Sequence, residues 1–201
     1  MGIDAAEPQS LLLQAQAGDA EAYGELCRNH EGALLRHAAS LCGNLSLAED
    51  LAQDTLVEGW RSLRRYNGRC RFFTWLCAIL LNRYRNTLRA KRPVLFSALG
   101  FFGGKSSPYD VADDRNGPDQ ALALNEQVEL VRRCVQALPA KHRQVVYLRF
   151  FVDDSLEAIA AAMGCSVGTA KSRLFHALEK LRQMKELRCE SRHPETDART
   201  L

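Results

Sequence analysis

Lys171, Ser172, Phe175 and His176 crowd into one short stretch near the C-terminal end, just after the dipeptide Cys165-Ser166. These are residue types that read duplex DNA. Lysine donates to guanine acceptors, serine serves bases or phosphates, and phenylalanine presses on a thymine methyl. Thr169 joins the set, and Arg173 and Lys180 flank it where they could hold phosphates. A second constellation lies upstream. Asn82, Arg85, Asn86 and Arg89 share a helix face at spacings of three and four. Arg83, Lys91 and Arg92 lie beside them, and Arg69 and Arg71 precede them. Arginines clamp phosphates and asparagines reach base edges. Tyr66, Phe72, Phe73 and Trp75 stand around the same segment, and aromatics interleaved with arginine suit unpaired bases. Phe72 and Trp75 read first as ordinary core. Tyr66, beside Gly68, fits packing and stacking equally well. A third group, Asp50, Gln53, Asp54 and Glu58, is acidic and would repel DNA. It suits a basic protein surface with Trp60 as an interface anchor, or it is a solvated helix face.

Catalytic chemistry finds no support. The sequence has no glycine-rich phosphate loop, nucleophile elbow or paired carboxylates, so no enzyme and no catalytic residue are expected. Seven cysteines without a Cys-x-x-Cys pair make neither a disulfide framework nor a zinc ribbon. Cys27-x-x-His30 and Cys189-x-x-x-His193 are lone pairs, so the expectation is no metal and no cofactor. No signal peptide is visible, and no uncharged apolar run nears the roughly 20 residues that span a bilayer. The expected address is the cytoplasm, with free thiols and no membrane insertion.

Charge distribution favours a polyanion partner. The 201 residues carry a net charge of only +3, but unevenly. Residues 1–58 hold ten acids and two arginines, whereas residues 59–92 hold ten Arg or Lys and no acid. A one-signed block in a foldable segment suits a polyanion.

The elements that must carry these groups are helices. Alanine, leucine, arginine and glutamate dominate, and β-branched runs are absent. Apolar residues recur at helical spacing from Ser10 to Cys42, broken near Gly18-Asp19. Ser46 and Glu49 form a capping box opening a helix whose stripe is Leu47, Leu51, Leu56, Trp60 and Leu63. After the Tyr66-Asn67-Gly68 loop, a helix runs from Phe72 to about Arg92, ended by Pro93. Residues 93–120 read as a flexible linker rich in glycine and proline signals, though Leu95, Phe96, Leu99, Phe101 and Phe102 are apolar enough to dock on something. Helices follow over Leu122 to Leu138 and Ala140 to about Val152, with Val145, Val146, Leu148 and Phe151 inward. A short helix from Leu156 to Met163 stops at Gly164. Ser166 caps a last helix to about Met184. Short helix, tight turn and second helix make a helix-turn-helix signature. Ile159, Ala160 and Met163 face inward from the first helix, with Val167, Ala170, Leu174, Leu178 and Leu181 from the second. The fold class is thus all-α: two small helical domains, 10–92 and 121–184, joined by the flexible linker 93–120, with a polar tail over 185–201.

The segments AEDLAQDTLVEGW, YNGRCRFFTWLCAILLN and LPAKHRQVVYLRFFVDDSLEAIAAAMGCSVGTAKSRLFHALEKLR resemble regions 2 and 4 of the extracytoplasmic-function sigma factors of the sigma-70 family. The resemblance covers about residues 15–92 and 122–183. It implies a non-enzymatic subunit that binds RNA polymerase core and directs it to promoters under the control of an anti-sigma factor. By resemblance, Asp50, Gln53 and Asp54, with Trp60, match the surface for the β′ clamp helices, and the β subunit is a further partner. Tyr66 to Arg92 match the part that opens the −10 element and holds a flipped base. Lys171, Ser172, Phe175 and His176 match the −35 reader. Asn86 stands where the family usually has Asp, and Leu80-Leu81-Asn82 departs from its usual alanine before Arg-Asn. Asp153 stands where the family often has Gly; aspartate tolerates the left-handed backbone such a turn needs. The rival reading is a stand-alone helix-turn-helix regulator that acts without polymerase.

Overall fold

The computed structural model describes residues 9–91 and 130–184. The expected linker (93–120), the start of the helix expected from Leu122, the polar tail from 185 and Arg92 lie outside the described residues. Every regular element among the described residues is helical.

In the N-terminal half, α1 (Gln9–Ala17) and α2 (Ala20–Cys42) are separated at Gly18, whose φ of 107° ends the first helix. Asp19 then caps α2, its carboxylate accepting the Glu21 and Ala22 amides. Helix α3 (Leu45–Ser62) starts differently from the sequence expectation. Gly43 turns left-handed at the end of α2, and the Asn44 side chain accepts the Leu47 amide. Asn44 is therefore the cap, and Ser46 lies within the helix, because the one-residue spacing after Gly43 puts Asn44 first at the open amides. A 3-10 turn (Leu63–Arg65) and a loop lead into α4 (Phe72–Lys91).

Helices α2, α3 and α4 pack on one another, with α1 laid on α2. Leu26, Leu34, Leu51, Leu76 and Leu80 are buried at the centre. The crossing of α3 over α4 needs a residue with no side chain. A Cβ on Gly59 would stand 2.5 Å from the Tyr23 hydroxyl oxygen and 3.1 Å from Leu76 Cδ2. That hydroxyl is held in place, donating to the Leu56 carbonyl at 2.6 Å. Alanine would gain about 1 kcal/mol in helix propensity, but overpacking costs about 1–3 kcal/mol. Gly59→Ala should therefore lower stability by about 1 kcal/mol in urea denaturation. Adding Tyr23→Phe, which removes the obstructing oxygen, should abolish or reverse that effect of the alanine; an equal loss in both backgrounds would refute the clash.

In the C-terminal half, the described part of α5 (130–137) leads through Pro139 into α6 (Ala140–Phe150), then α7 (Leu156–Ala162) and α8 (Val167–Gln183). Val145, Val146 and Leu148 are buried as expected, but Phe151 is exposed. It sits where α6 ends, its ring stacked outside on Tyr147 with centroids 5.1 Å apart. Asp153 has φ 55°, and it is the one non-glycine residue with positive φ among those described.

The halves are packed together. Helix α4 meets both α6 and α7. One apolar cluster runs from Leu26, Leu34 and Leu80 through Val145, Leu148 and Ile159. A flexible joint alone would not lead one to expect this shared core. A smaller cluster of Val135, Leu138, Val146 and Ala177 belongs to the C-terminal half.

Candidate nucleic-acid interface

Helix α7 is opened by Ser155, whose hydroxyl accepts the Ala158 amide, and α8 by Ser166, whose hydroxyl accepts the Thr169 amide at 3.2 Å. Gly164, at φ 61°, makes the left-handed step between them. Ile159 and Ala160 are buried beneath the crossing and Met163 only in part. On α8 the fully buried positions are the small residues Ala170 and Ala177, while Val167, Leu174, Leu178 and Leu181 are half-buried. Lys171, Ser172, Phe175 and His176 are all exposed on one side of this helix, and Thr169 and Arg173 are partly so. Phe175 is 63% exposed, its ring edge-on to that of His176 at 5.5 Å. This is the arrangement in which the first turns of a second helix enter a major groove. Beside it His142 and His176 stack at 6.5 Å. Burial first, then Lys180, His176 and Arg173, push the His142 ring below its usual range, a sign of crowded positive charge.

On α3, Asp50, Gln53 and Asp54 are exposed and Glu58 is partly covered. Trp60 lies at the end of the helix, 37% exposed, its ring 5.0 Å from that of Tyr23. Glu58 is paired with Arg83 of α4 at 3.4 Å, so the acidic face free for a partner is Asp50, Gln53 and Asp54.

The basic block is only partly open. Asn82, Asn86, Arg89 and Arg69 are exposed, and Arg85 is half-buried. Tyr66 is buried, its hydroxyl donating to the Cys70 carbonyl and its ring against Phe72 and Trp75 at 5.7 and 5.2 Å. Its carbonyl accepts from Gln16 Nε2 at 2.7 Å. Of the two readings that the sequence left open for Tyr66, packing describes its place in this arrangement, where the ring is buried against Phe72 and Trp75. Phe72 is core, and Trp75 is half-buried.

Two residues of the block are engaged by the other half of the chain. Arg71 Nε lies 3.3 Å from Asp154 Oδ2, and its Nη2 donates to the carbonyls of Val152 and Asp153 at 3.2 and 3.1 Å. Thr74, fully buried, donates to the same Asp154 oxygen. Gln144 Nε2 donates to Asn82 Oδ1 at 2.9 Å. His37 Nδ1 lies 2.7 Å from the Tyr147 hydroxyl, and burial, then Arg36, push that imidazole down to about 4. Sequence reasoning missed Asp154, His37 and Tyr147. Their one local signal was the doubled acid Asp153-Asp154, which reads as a turn. None of the six cysteines among the described residues is in a disulfide, and burial raises the thiols of Cys27, Cys70 and Cys77, making them poor nucleophiles.

Residues 26–94 match sigma-70 region 2, and residues 134–183 match sigma-70 region 4. The RNA polymerase sigma-H factor of Pseudomonas aeruginosa is 31% identical over 181 residues, 87% of this chain and 92% of that protein. The RNA polymerase sigma factor CnrH of Cupriavidus metallidurans is 32% identical over 173 residues, 85% of this chain and 90% of its own length. The ECF RNA polymerase sigma factor SigW of Bacillus subtilis is 26% identical over 88% of this chain and 96% of its own. The chain belongs to the extracytoplasmic-function sigma factors of the sigma-70 family. The fold agrees. The structure of CnrH in complex with the cytosolic domain of CnrY superposes with a TM-score of 0.58 at 24% identity, covering 92% of this chain and 98% of that one. The Bartonella quintana sigma factor RpoE, in complex with the anti-sigma factor NepR, gives 0.53 at 24% identity, with 84% and 98% covered. In this sigma factor, region 2 comprises most of α2 with α3 and α4, and region 4 runs from α5 through α8. No helix among its described residues is long and apolar enough to cross a membrane.

Proposed function

We propose that this sigma factor, a non-catalytic subunit, binds polymerase core through Asp50, Gln53, Asp54 and Trp60 and promoter DNA through two surfaces. The −35 element is read in duplex form by Lys171, Ser172, Phe175 and His176, with Thr169 and Arg173 alongside. The −10 element is engaged by Arg69, Arg71, Asn82, Arg85, Asn86 and Arg89. The observation that carries the reading is the exposed Lys171-Ser172-Phe175-His176 face on a capped second helix. It supplies base-reading groups where a groove reader needs them. In vitro transcription with core enzyme on a promoter library tests the whole reading. A stand-alone regulator would instead shift duplex DNA without core and start no transcripts.

Two substitutions separate the parts. Asp50→Arg with Asp54→Arg reverses the charge of the α3 face and should abolish core binding in a pull-down. Both sites are solvent-exposed, so the cost in stability should stay within about 0.5 kcal/mol. Retained core binding would remove α3 from the contact. Lys171→Ala should relax preference at one or two −35 base pairs, losing about 1–3 kcal/mol of discrimination at each. A uniform loss across all sequences, with a shallower salt dependence, would make Lys171 a phosphate contact.

Control by an anti-sigma factor completes the proposal. It draws on the two solved relatives, captured with CnrY and with NepR. Support from this chain is an apolar cleft of about 190 Å3 at the seam of the halves, lined among others by Leu41, Tyr84, Val131, Val135 and Phe151. Val131 and Phe151 are exposed there, a surface that the apolar face of a partner helix would cover.

A further inference from the structure

A second cleft at the seam has the opposite character. Its volume is about 300 Å3, and it opens between α4, α6 and the turn that joins α7 to α8. Arg85 enters from α4, Lys141 from the first turn of α6 and Arg173 from α8, with the amides of Asn82 and Gln144 alongside. No Asp or Glu lines it. Four other arginines among the described residues pair with carboxylates: Arg71 with Asp154, Arg83 with Glu58, Arg149 with Asp153 and Arg182 with Glu179, at 3.3 to 3.8 Å. In the cleft the compensation is missing. Arg85 Nε is buried without a hydrogen-bond acceptor among the described residues, and Arg173 reaches only the Cys165 sulfur, at 3.6 Å. Three like charges drawn from both halves repel one another, and a buried guanidinium N–H left unpaired costs free energy. Packing the halves together without an anion between them is therefore electrostatically unfavourable at this point.

We propose that this inter-domain cleft binds a small, phosphate-dense anion of the pyrophosphate class, which ties region 2 to region 4. Arg85 and Arg173 supply planar donor forks suited to phosphate oxygens, and Lys141 a compact point charge. The volume lies at the lower end for ligand sites, which favours the phosphate groups themselves over an enclosed nucleotide. Because Arg85 and Arg173 come from different halves, the anion bridges them, so binding favours the packed arrangement over any in which the halves part. The binding claim rests on the cleft and stands apart from the promoter reading. The consequence drawn from both is competition, since an anion held on Arg85 and Arg173 occupies cations assigned to DNA.

The test uses the full chain, titrated calorimetrically with sodium pyrophosphate at constant ionic strength, beside sulfate. Saturable binding of one pyrophosphate per chain is expected, with slower amide exchange in α6 and α7. Lys141→Gln and Arg85→Gln should each weaken it about tenfold, the scale of one charge-assisted contact. Arg182→Gln, on the far part of α8, should leave it unchanged. A parallel titration with a nucleoside diphosphate separates the sources. Affinity equal to pyrophosphate means that the cleft takes a nucleotide by its phosphate tail, and a tenfold weaker one means that it takes the inorganic anion. Equal binding of sulfate, an equal loss on Arg182→Gln, or unchanged exchange along the seam would overturn the proposal, reducing the effect to diffuse attraction.

Discussion

Asp154→Ala is expected to lower the stability of the folded chain by about 2–3 kcal/mol and to strengthen its binding to single-stranded −10 DNA. Asp154 is almost fully buried, and three groups converge on its carboxylate: Arg71, the buried Thr74 hydroxyl, and the Ser155 amide at 2.8 Å. Hydrogen bonds to a charged group contribute about 1.5–3 kcal/mol each in mutational series. The Arg71 side chain is 44% exposed, so its ionic part is discounted for solvent screening. The larger share comes from Thr74, whose hydroxyl would lose its charged acceptor. Asp154→Asn keeps an acceptor of the same size and should lose about half as much. Urea denaturation at an unchanged slope measures both. The DNA effect follows from the same geometry, because Arg71 would be released from Asp154 toward solvent. Unaltered midpoints in both variants would show that the Asp154 cluster does not hold the halves together. A lower midpoint without tighter DNA binding would show that Arg71 is not withheld from DNA.

The elements themselves were legible because their signals are local. The break at Gly18-Asp19, the caps Ser155 and Ser166 and the left-handed Gly164 each act within a turn of helix, so composition and spacing were enough. Ser46 misled because a capping box is a pattern of types, and Asn44 two residues earlier satisfies the same open amides. Phe151 misled for a related reason. Its spacing continues the inward face of α6, but the helix stops at Phe150, and the next residue escapes the periodicity. On α8 the stripe was legible, yet the deepest positions are Ala170 and Ala177; Ala177 packs closely against α5 and α6, which selects for size, and hydrophobic patterning does not weigh size.

The seam between the halves was not legible, and this changes how the basic block is understood. Arg71 with Asp154 and His37 with Tyr147 are pairs 83 and 110 residues apart in the chain. No local spacing rule joins residues so distant. Read alone, Arg71 is one more phosphate clamp; in the fold it is tied to region 4, and Asn82 is tied to Gln144. Tyr66 likewise looked loop-borne and is packed beneath α4. Part of the surface proposed for the −10 element is therefore spent on contacts within the chain. Core binding would have to compete with those contacts before that surface met DNA, a cost set by how strongly the seam is held.

Acidification should weaken that seam, and His37 is where the effect is largest. Its ring titrates at about 4 in the packed chain and near 6.5 in an unfolded one. Tyr147 is held protonated by burial, its hydroxyl donating to the His37 carbonyl at 3.2 Å and lying 2.7 Å from Nδ1, so it brings no negative charge to the buried ring, and the neutral imidazole is the form the seam accepts. Arg36 adds a repulsive charge, and Ser40, 3.4 Å from the Tyr147 oxygen, supplies no counter-charge. Between pH 6.5 and about 4 the unfolded chain therefore binds a proton that the packed chain does not. Stability is complete above pH 6.5 and falls as pH drops through that window. The full span amounts to about 3 kcal/mol, and the part lost between pH 7 and pH 5 to about 2 kcal/mol. His142, also depressed by burial, adds to the trend with the same sign, so the parent alone does not isolate His37. His37→Gln does: it keeps a polar side chain beside Tyr147 and cannot become a buried cation. Its urea midpoint should move between pH 7 and pH 5 by about 2 kcal/mol less than the parent's. If the two chains lose stability equally over that interval, His37 is not the group whose protonation strains the seam.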